Sequence, residues 1–344
     1  MLKKIFSVTA SLFAFFCATA QTDSTKKSST TFSGFVDAYY RSNFSAGPGT
    51  TNNLTSFTNS QNSFELGMAS MKVEHTTGKV SGTVDLGFGM RAHEFSYNDS
   101  SRGLSAIKQA YVSFAASDKV KFTMGKWATH IGYEVVDPTG NRNYSMAYAF
   151  SYGPFFHTGF KADISLGGKS AFMIGVANPT DFTTTTSNVK VLIAQFSTAT
   201  KNDKLKAFVN YQGGTGLSQF DLVVNGIVSD KFSVGYNGTS QSLKTNGLAE
   251  SWTSHIVYLN LDPSAGFGMT LRGEYFKDRA TNPILGNAAN IFAATLSGNI
   301  KIDGHLTIIP EFRLDNAKNS IFTKSDGGFA KGTNTFLLAA VYKF

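Results

Sequence analysis

The sequence predicts a transmembrane, up-and-down, antiparallel β-barrel of about 16 strands. Three observations carry this. The chain opens on an export segment, its strand-length stretches place apolar residues at every second position, and its connections alternate strictly between short and long.

The export segment comes first. Lys3 and Lys4 precede an apolar run from Ile5 to Cys17, and Ala18-Thr19-Ala20 offers a small-residue cleavage site before Gln21. A basic end, an apolar stretch and an A-x-A site make a secretory signal peptide over residues 1–20. About thirteen apolar residues are too few to cross a bilayer as a helix. Phe16 stands before Cys17, where a lipid-modified cysteine needs a small residue, which excludes a lipoprotein. Cleavage removes 20 of the 344 residues and leaves 324, none of them cysteine, because Cys17 is the only one. Loss of Lys3 and Lys4 lowers the formal charge from +8 to +6. That excess is scattered, with no Lys/Arg block, so no nucleic-acid partner is expected.

The rest of the chain has no apolar run of 18 residues, which excludes helical membrane spans. Its mean hydropathy of −0.10 resembles that of a soluble protein. Yet the chain has 31 Phe, 13 Tyr and 33 Gly against 7 Pro, a balance suited to strands and interfaces. A barrel strand hides its apolar face behind alternation, so average hydropathy does not reveal it.

Residues 21–31 are polar and without periodicity and are expected to form a tether, with the barrel over 32–344. The clearest strands follow. Val80, Val84, Leu86, Phe88 and Met90 oppose Ser81, Thr83, Asp85 and Arg91. Phe156, Phe160, Ala162, Ile164 and Leu166 oppose His157, Lys161, Asp163 and Ser165. Phe267, Met269, Leu271 and Tyr275 oppose Thr270, Arg272, Glu274 and Asp278. Leu296, Ile300 and Ile302 oppose Ser297, Asn299 and Lys301, and Ile308, Phe312 and Leu314 oppose Glu311, Arg313 and Asp315.

Seven connections are tight: HTTGK (75–79), ASDK (116–119), LGGKS (166–170), TKNDK (200–204), VSDK (228–231), DPSAG (262–266) and IDGH (302–305). Their Gly, Asn, Asp, Ser and Pro are turn residues. Between them fall longer polar connections near 44–61, 92–105, 127–152, 178–188, 242–250, 280–288 and 318–332, with a short GGTG at 213–216. An outer-membrane barrel alternates in this way, with short periplasmic turns and longer external loops.

The final strand reads NTFLLAAVYKF. Phe336, Leu338, Ala340, Tyr342 and Phe344 share one face, and pairing with a first strand near 32–42 leaves no open edge in hydrocarbon. Tyr342 and Phe344 then belong to the periplasmic aromatic girdle, and this aromatic end resembles the signal read by the outer-membrane assembly machinery.

Motifs of catalysis are missing from the sequence. There is no G-x-S-x-G, and GGKS at 167–170 has Asp163 where a P-loop requires its first Gly. The six His are scattered, so no metal or cofactor site is expected. No plug domain precedes the strands, because their pattern begins by about Phe32. Charges of both signs fall on inward positions, among them Arg272, Glu274, Glu311 and Arg313. The connection at 127–152 is the longest and is aromatic, and it carries Glu134, Asp137 and Arg142. A loop of that length is usually functional. Its apolar residues favour folding inward, where its charges would face Arg272, Glu274, Glu311 and Arg313 across a narrow aqueous constriction. The alternative is a docking surface on the cell exterior.

Four passages carry a resemblance: FSGFVDAYY (32–40), GYEVVDPTGNRNYSMAYAFSYGPFFHTGFKADI (132–164), LRGEYFKD (271–278) and IIPEFRLDN (308–316). Together they resemble β-barrel porins of the OmpL-like type, common in Bacteroidota, over essentially the whole mature chain. The resemblance implies an outer-membrane porin without a named solute. The resulting expectation is a passive channel for small hydrophilic solutes or ions that does no covalent chemistry. Its partners are outer-membrane lipid, the assembly machinery, those solutes and a possible second copy of itself. A sugar-selective channel, a surface adhesion or structural barrel and a barrel hydrolase are the rival readings.

Overall fold

The computed structural model describes residues 28–47, 49–99, 103–245, 248–278, 284–285 and 290–344. The expected signal peptide and most of the tether lie outside the described residues. In chain order the first strands are β1 (Ser28–Asn43), β2 (Ser63–Thr77), β3 (Val80–Phe88), β4 (Ile107–Ala115), β5 (Val120–Ala128) and β6 (Phe156–Gly167). They are followed by β7 (Ser170–Ala177), β8 (Val191–Ala199), β9 (Leu205–Gly214), β10 (Leu217–Ile227), β11 (Phe232–Thr245) and β12 (Leu248–Ser264). The last are β13 (Phe267–Asp278), β14 (Asn290–Ile302), β15 (Leu306–Ala317), β16 (Phe322–Thr323), β17 (Phe329–Ala330) and β18 (Gly332–Lys343). Two short helices, α1 (Met90–Phe95) and α2 (Tyr148–Ser151), sit in the connections.

Sixteen of these strands close one antiparallel barrel, in which each pairs with its sequence neighbour and β18 pairs with β15 and β1. The small β16–β17 hairpin stands apart in the connection before β18. Closure satisfies the backbone groups that an edge would leave bare in hydrocarbon. The seam runs to the last residue, where Gly34 and Phe344 exchange N–H···O bonds of 3.1 and 3.0 Å. Strand β1 begins earlier than expected, since Ser28 to Thr31 pair with Thr77 to Glu74 rather than ending a tether.

The alternation reads out as two faces. Val84, Phe160, Leu271, Leu296 and Leu314 point outward and are exposed to the surroundings, while Asp85, Asp163, Arg272, Ser297 and Arg313 point inward and are buried. Phe156 departs from this. It packs against Phe95 and under the Lys126 ammonium, 3.8 Å from the ring centroid, because it joins the apolar cluster of Phe57, Phe95, Met146 and Phe155 from the connections. The described N-terminus lies at the end that carries the short turns, since Ser28 pairs with Thr77, and the chain finishes there too. At the opposite end the expected connection at 242–250 is mostly strand, with Ser242 to Thr245 paired to Ser251 to Leu248. No described helix is long and apolar enough to cross a membrane.

Candidate functional site

The connection between β5 and β6 runs from 129 to 155, with Trp127 and Ala128 belonging to β5. Local sequence shapes its middle. Pro138 starts a 3-10 turn over Pro138–Gly140, and the Asn141 side chain closes the turn by accepting from Val135 N–H (3.0 Å) and donating to Val135 O (2.6 Å). The aromatic residues then need cover. Phe150 and Phe155 cluster with Phe57, Phe95 and Met146, while Tyr148 packs with Trp252, Tyr258 and Phe276 of the wall. The loop therefore lies inside the barrel.

A buried loop needs partners for its main chain. The wall supplies carboxylates. Glu311 accepts from Tyr144 N–H (2.8 Å) and Ser145 N–H (3.1 Å). Glu274 accepts from Tyr148 N–H (2.7 Å) and Ala149 N–H (2.8 Å), the free donors at the start of α2. Within the loop itself Glu134 accepts from Ala147 N–H at 2.8 Å. Arginines serve the carbonyls, with Arg272 Nη1 donating to Ser145 O (2.6 Å) and Arg313 Nη1 to Met146 O (2.7 Å).

The structure brings all seven expected charges to this loop and its wall, but in a different arrangement from the one expected. Arg272 pairs directly with Glu134 at 2.6 Å, and both are buried, as are Glu274, Glu311 and Arg313. These charges touch rather than face one another across water. The reason is the requirement just described: once the loop occupies the lumen, its N–H and C=O groups take up the wall charges. Asp137 meets Lys108 of β4 at 2.6 Å instead of the β13–β15 wall. Arg142 clamps Asp262 of β12 through two bonds of 2.9 Å and bonds Thr270 Oγ1 at 2.6 Å.

Asp37, Lys108 and Asp262 carry no sequence motif that marks them, whereas Asp315 falls on the inward face expected of it. Tyr144 O–H donates to Asp37, and Tyr148 O–H to Asp315 at 2.9 Å. Asp37 falls on the inward parity of β1 with Phe35, Tyr39 and Arg41, a signal that was available. Above the loop a cavity of about 380 Å³ is lined by Glu94, Tyr97, Tyr152, Phe155 and Asp181. Burial pushes the Asp181 carboxyl up to about 7 against the pull of Phe156 and Phe155 N–H, Tyr97 O–H and Lys126.

The loop crosses the lumen: besides β12–β15 it reaches β1 at Asp37, β4 at Lys108, β8 at Gln195, β9 at Tyr211, β10 at Asp221 and β11 at Asn237. Inward residues of β13, β14 and β15 are buried nearly from end to end. Inward residues that still meet water, such as Lys72, Ser165 and Phe208, lie in the turn-end halves of β2, β6 and β9. Among the described residues no cluster of His, Cys, Asp or Glu has the make-up of a metal site.

A sixteen-stranded barrel with an apolar exterior, short turns at one end and a long loop folded into a polar lumen is an outer-membrane porin. The comparisons place it further. The chain belongs to the family described as "Putative beta-barrel porin-2, OmpL-like", which matches residues 29–344. No curated protein matches it in sequence. Solved structures share its fold. OmpT of Vibrio cholerae superposes with a TM-score of 0.63 at 12% identity, covering 94% of this chain and 99% of that one. An anion-selective porin from Comamonas acidovorans gives 0.61 at 10% identity, covering 92% and 100%. A variant of Rh. blastica porin gives 0.56 at 12% identity, again covering 92% and 100%. Family and fold point to a channel of the Gram-negative outer membrane rather than to an enzyme.

Proposed function

We propose that the protein is a passive diffusion channel for small hydrophilic solutes and ions, narrowed by the loop at 129–155. One observation carries this reading: the loop is bonded along its length to inward charges of the wall, while inward residues toward the short turns stay in contact with water. Glu134, Asp137, Arg142, Arg272, Glu274, Glu311 and Arg313 act as positioning residues that hold the constriction in place. The chain uses no cofactor and does no covalent chemistry. Tyr342 and Phe344 present the signal for the outer-membrane assembly machinery, with Phe344 on the seam. OmpT of Vibrio cholerae has been solved in a trimer form, and a homo-oligomer is the assembly we expect for this chain.

Liposome swelling tests the channel reading. Proteoliposomes of the refolded chain should swell in small sugars at rates that fall steeply with solute size. Absence of swelling with folded barrel in the bilayer would contradict it. A sugar-selective channel is the second reading, favoured by the Tyr97 and Tyr152 rings in the cavity above the loop. It predicts that one sugar permeates faster than others of equal size.

A further inference from the structure

Of the charges that pin the loop, Glu134, Arg272, Glu274, Glu311 and Arg313 are buried, so they are not the ones a passing ion meets most directly. The charges in contact with water are Arg142 and Asp137 of the loop and a set gathered toward the turn end of the lumen. They are unbalanced.

Asp163 of β6 is shared by two lysines, Lys161 Nζ at 3.2 Å and Lys121 Nζ at 3.8 Å. Lys121 stands directly opposite Asp163 in the β5–β6 register, and its side chain is 54% exposed. Asp262 of β12 is likewise shared, by Arg142 at 2.9 Å and Lys301 at 3.6 Å. Lys72 and Glu74 of β2 pair one to one at 2.9 Å. Lys206 of β9 has the parity of inward Asn210, is exposed and makes no ion pair among the described residues. Six cations thus stand against three carboxylates.

Farther along the strands from the short turns the balance is reversed: Asp85 at 3.2 Å and Asp137 at 2.6 Å share Lys108, and Asp221 is held by neutral donors from Asn210, Asn237 and Thr239. An ion entering from the turn end meets the lysines first. At the other end Glu94 of the cavity is taken up by Phe57 N–H and Asn59. Walls of low dielectric focus the field of the uncompensated charges into the aqueous gap, and rings of Lys and Arg favour anions.

We propose that the channel selects small anions, such as chloride, inorganic phosphate and short carboxylates, through a basic vestibule at the turn end formed by Lys72, Lys121, Lys161, Lys206, Arg142 and Lys301. This rests on the channel reading above. Lys121, Lys161 and Lys206 set the preference, because two of them share a single carboxylate and the third makes no ion pair among the described residues. Arg142 has a second role, since it joins the vestibule to the tip of the loop.

The experiment is the reversal potential of the refolded mature chain in a planar bilayer across a KCl gradient. Wild type should pass chloride over potassium, with a permeability ratio of about threefold or more that falls as salt screens the vestibule. The combined Lys121→Glu, Lys161→Glu and Lys206→Glu variant should reverse the preference. Lys119→Glu, on the exposed turn before β5, should leave it unchanged. If the triple variant fails to fold, Lys206→Glu alone should still lower the ratio, because that side chain makes no ion pair or hydrogen bond among the described residues that the fold would lose. Conductance with no preference, or with a preference for potassium, overturns the anion inference and leaves the channel reading intact. Folded protein that passes no current overturns both.

Discussion

Arg272 on β13 donates to Glu134 Oε1 at 2.6 Å and, through the same nitrogen, to Ser145 O at 2.6 Å, so that one side chain fastens two parts of the loop to the wall. Its Nη2 reaches Thr295 Oγ1 of β14 at 3.0 Å. Removing the guanidinium strands the Glu134 carboxylate in a buried site, which costs about 3–5 kcal/mol. Arg272→Met should therefore loosen the loop, read as a lowered unfolding temperature and noisier current. Adding Glu134→Gln should restore part of the loss. Equal stability of Arg272→Met and wild type would show that the pair does not hold the loop.

The last residue closes the seam, and Gly34 makes room for it. A Cβ built at Gly34 would stand 2.5 Å from Phe344 Cζ and 2.5 Å from Ser70 O. Gly34→Val should impair closure, and deletion of Phe344 should reduce the amount of folded barrel far more than Lys343→Glu. Heat-modifiable migration on gels measures the folded fraction. Equal folding of the Phe344 deletion and Lys343→Glu would contradict the role given to the seam.

Orientation has its own test. Cysteines placed at 77–78, 167–168 or 303–304 sit in short turns and should be silent to a membrane-impermeant maleimide on intact cells. Cysteines at 51–53 or 325–328 should react. The reverse pattern would turn the barrel over.

Asp181 closes the floor of the outer cavity by accepting from Phe155 N–H at 2.7 Å and Phe156 N–H at 2.9 Å. Its folded pKa is raised from 3.8 to about 7, so its contribution to loop stability is full below the lower value and is lost as pH rises through the upper. Hydrogen exchange in residues 178–190 should quicken from pH 4 to pH 7 beyond the intrinsic rate. Asp181→Asn should remove that excess.

Much of this was legible in the sequence. Period-two alternation in β13, β14, β15 and β18 gave the correct facing, because lipid and a polar lumen impose opposite demands on successive residues. Turn residues marked all seven short turns. The partners of Glu134, Asp137 and Arg142 were not legible. They depend on where the loop's N–H and C=O groups come to rest, and main-chain groups leave no mark on side-chain patterning. Phe156 differs from its expected facing for a related reason: alternation describes a strand against lipid, and at this first residue of β6 the ring joins the apolar cluster of the connections. The polar stretch at 242–250 read as a loop, yet cross-strand pairing extends β11 and β12 beyond the apolar band.

If the loop at 129–155 narrows an aqueous channel, removing its middle should widen the passage. Single-channel conductance of wild type and of a variant lacking residues 136–146, both confirmed as folded barrels, measures this. Deletion removes the Asp137–Lys108 and Arg142–Asp262 contacts and the Tyr144 and Ser145 donors to Glu311. Conductance should rise severalfold and discrimination against larger sugars should fall. Unchanged conductance in the folded deletion variant would contradict the claim and place the passage elsewhere in the barrel.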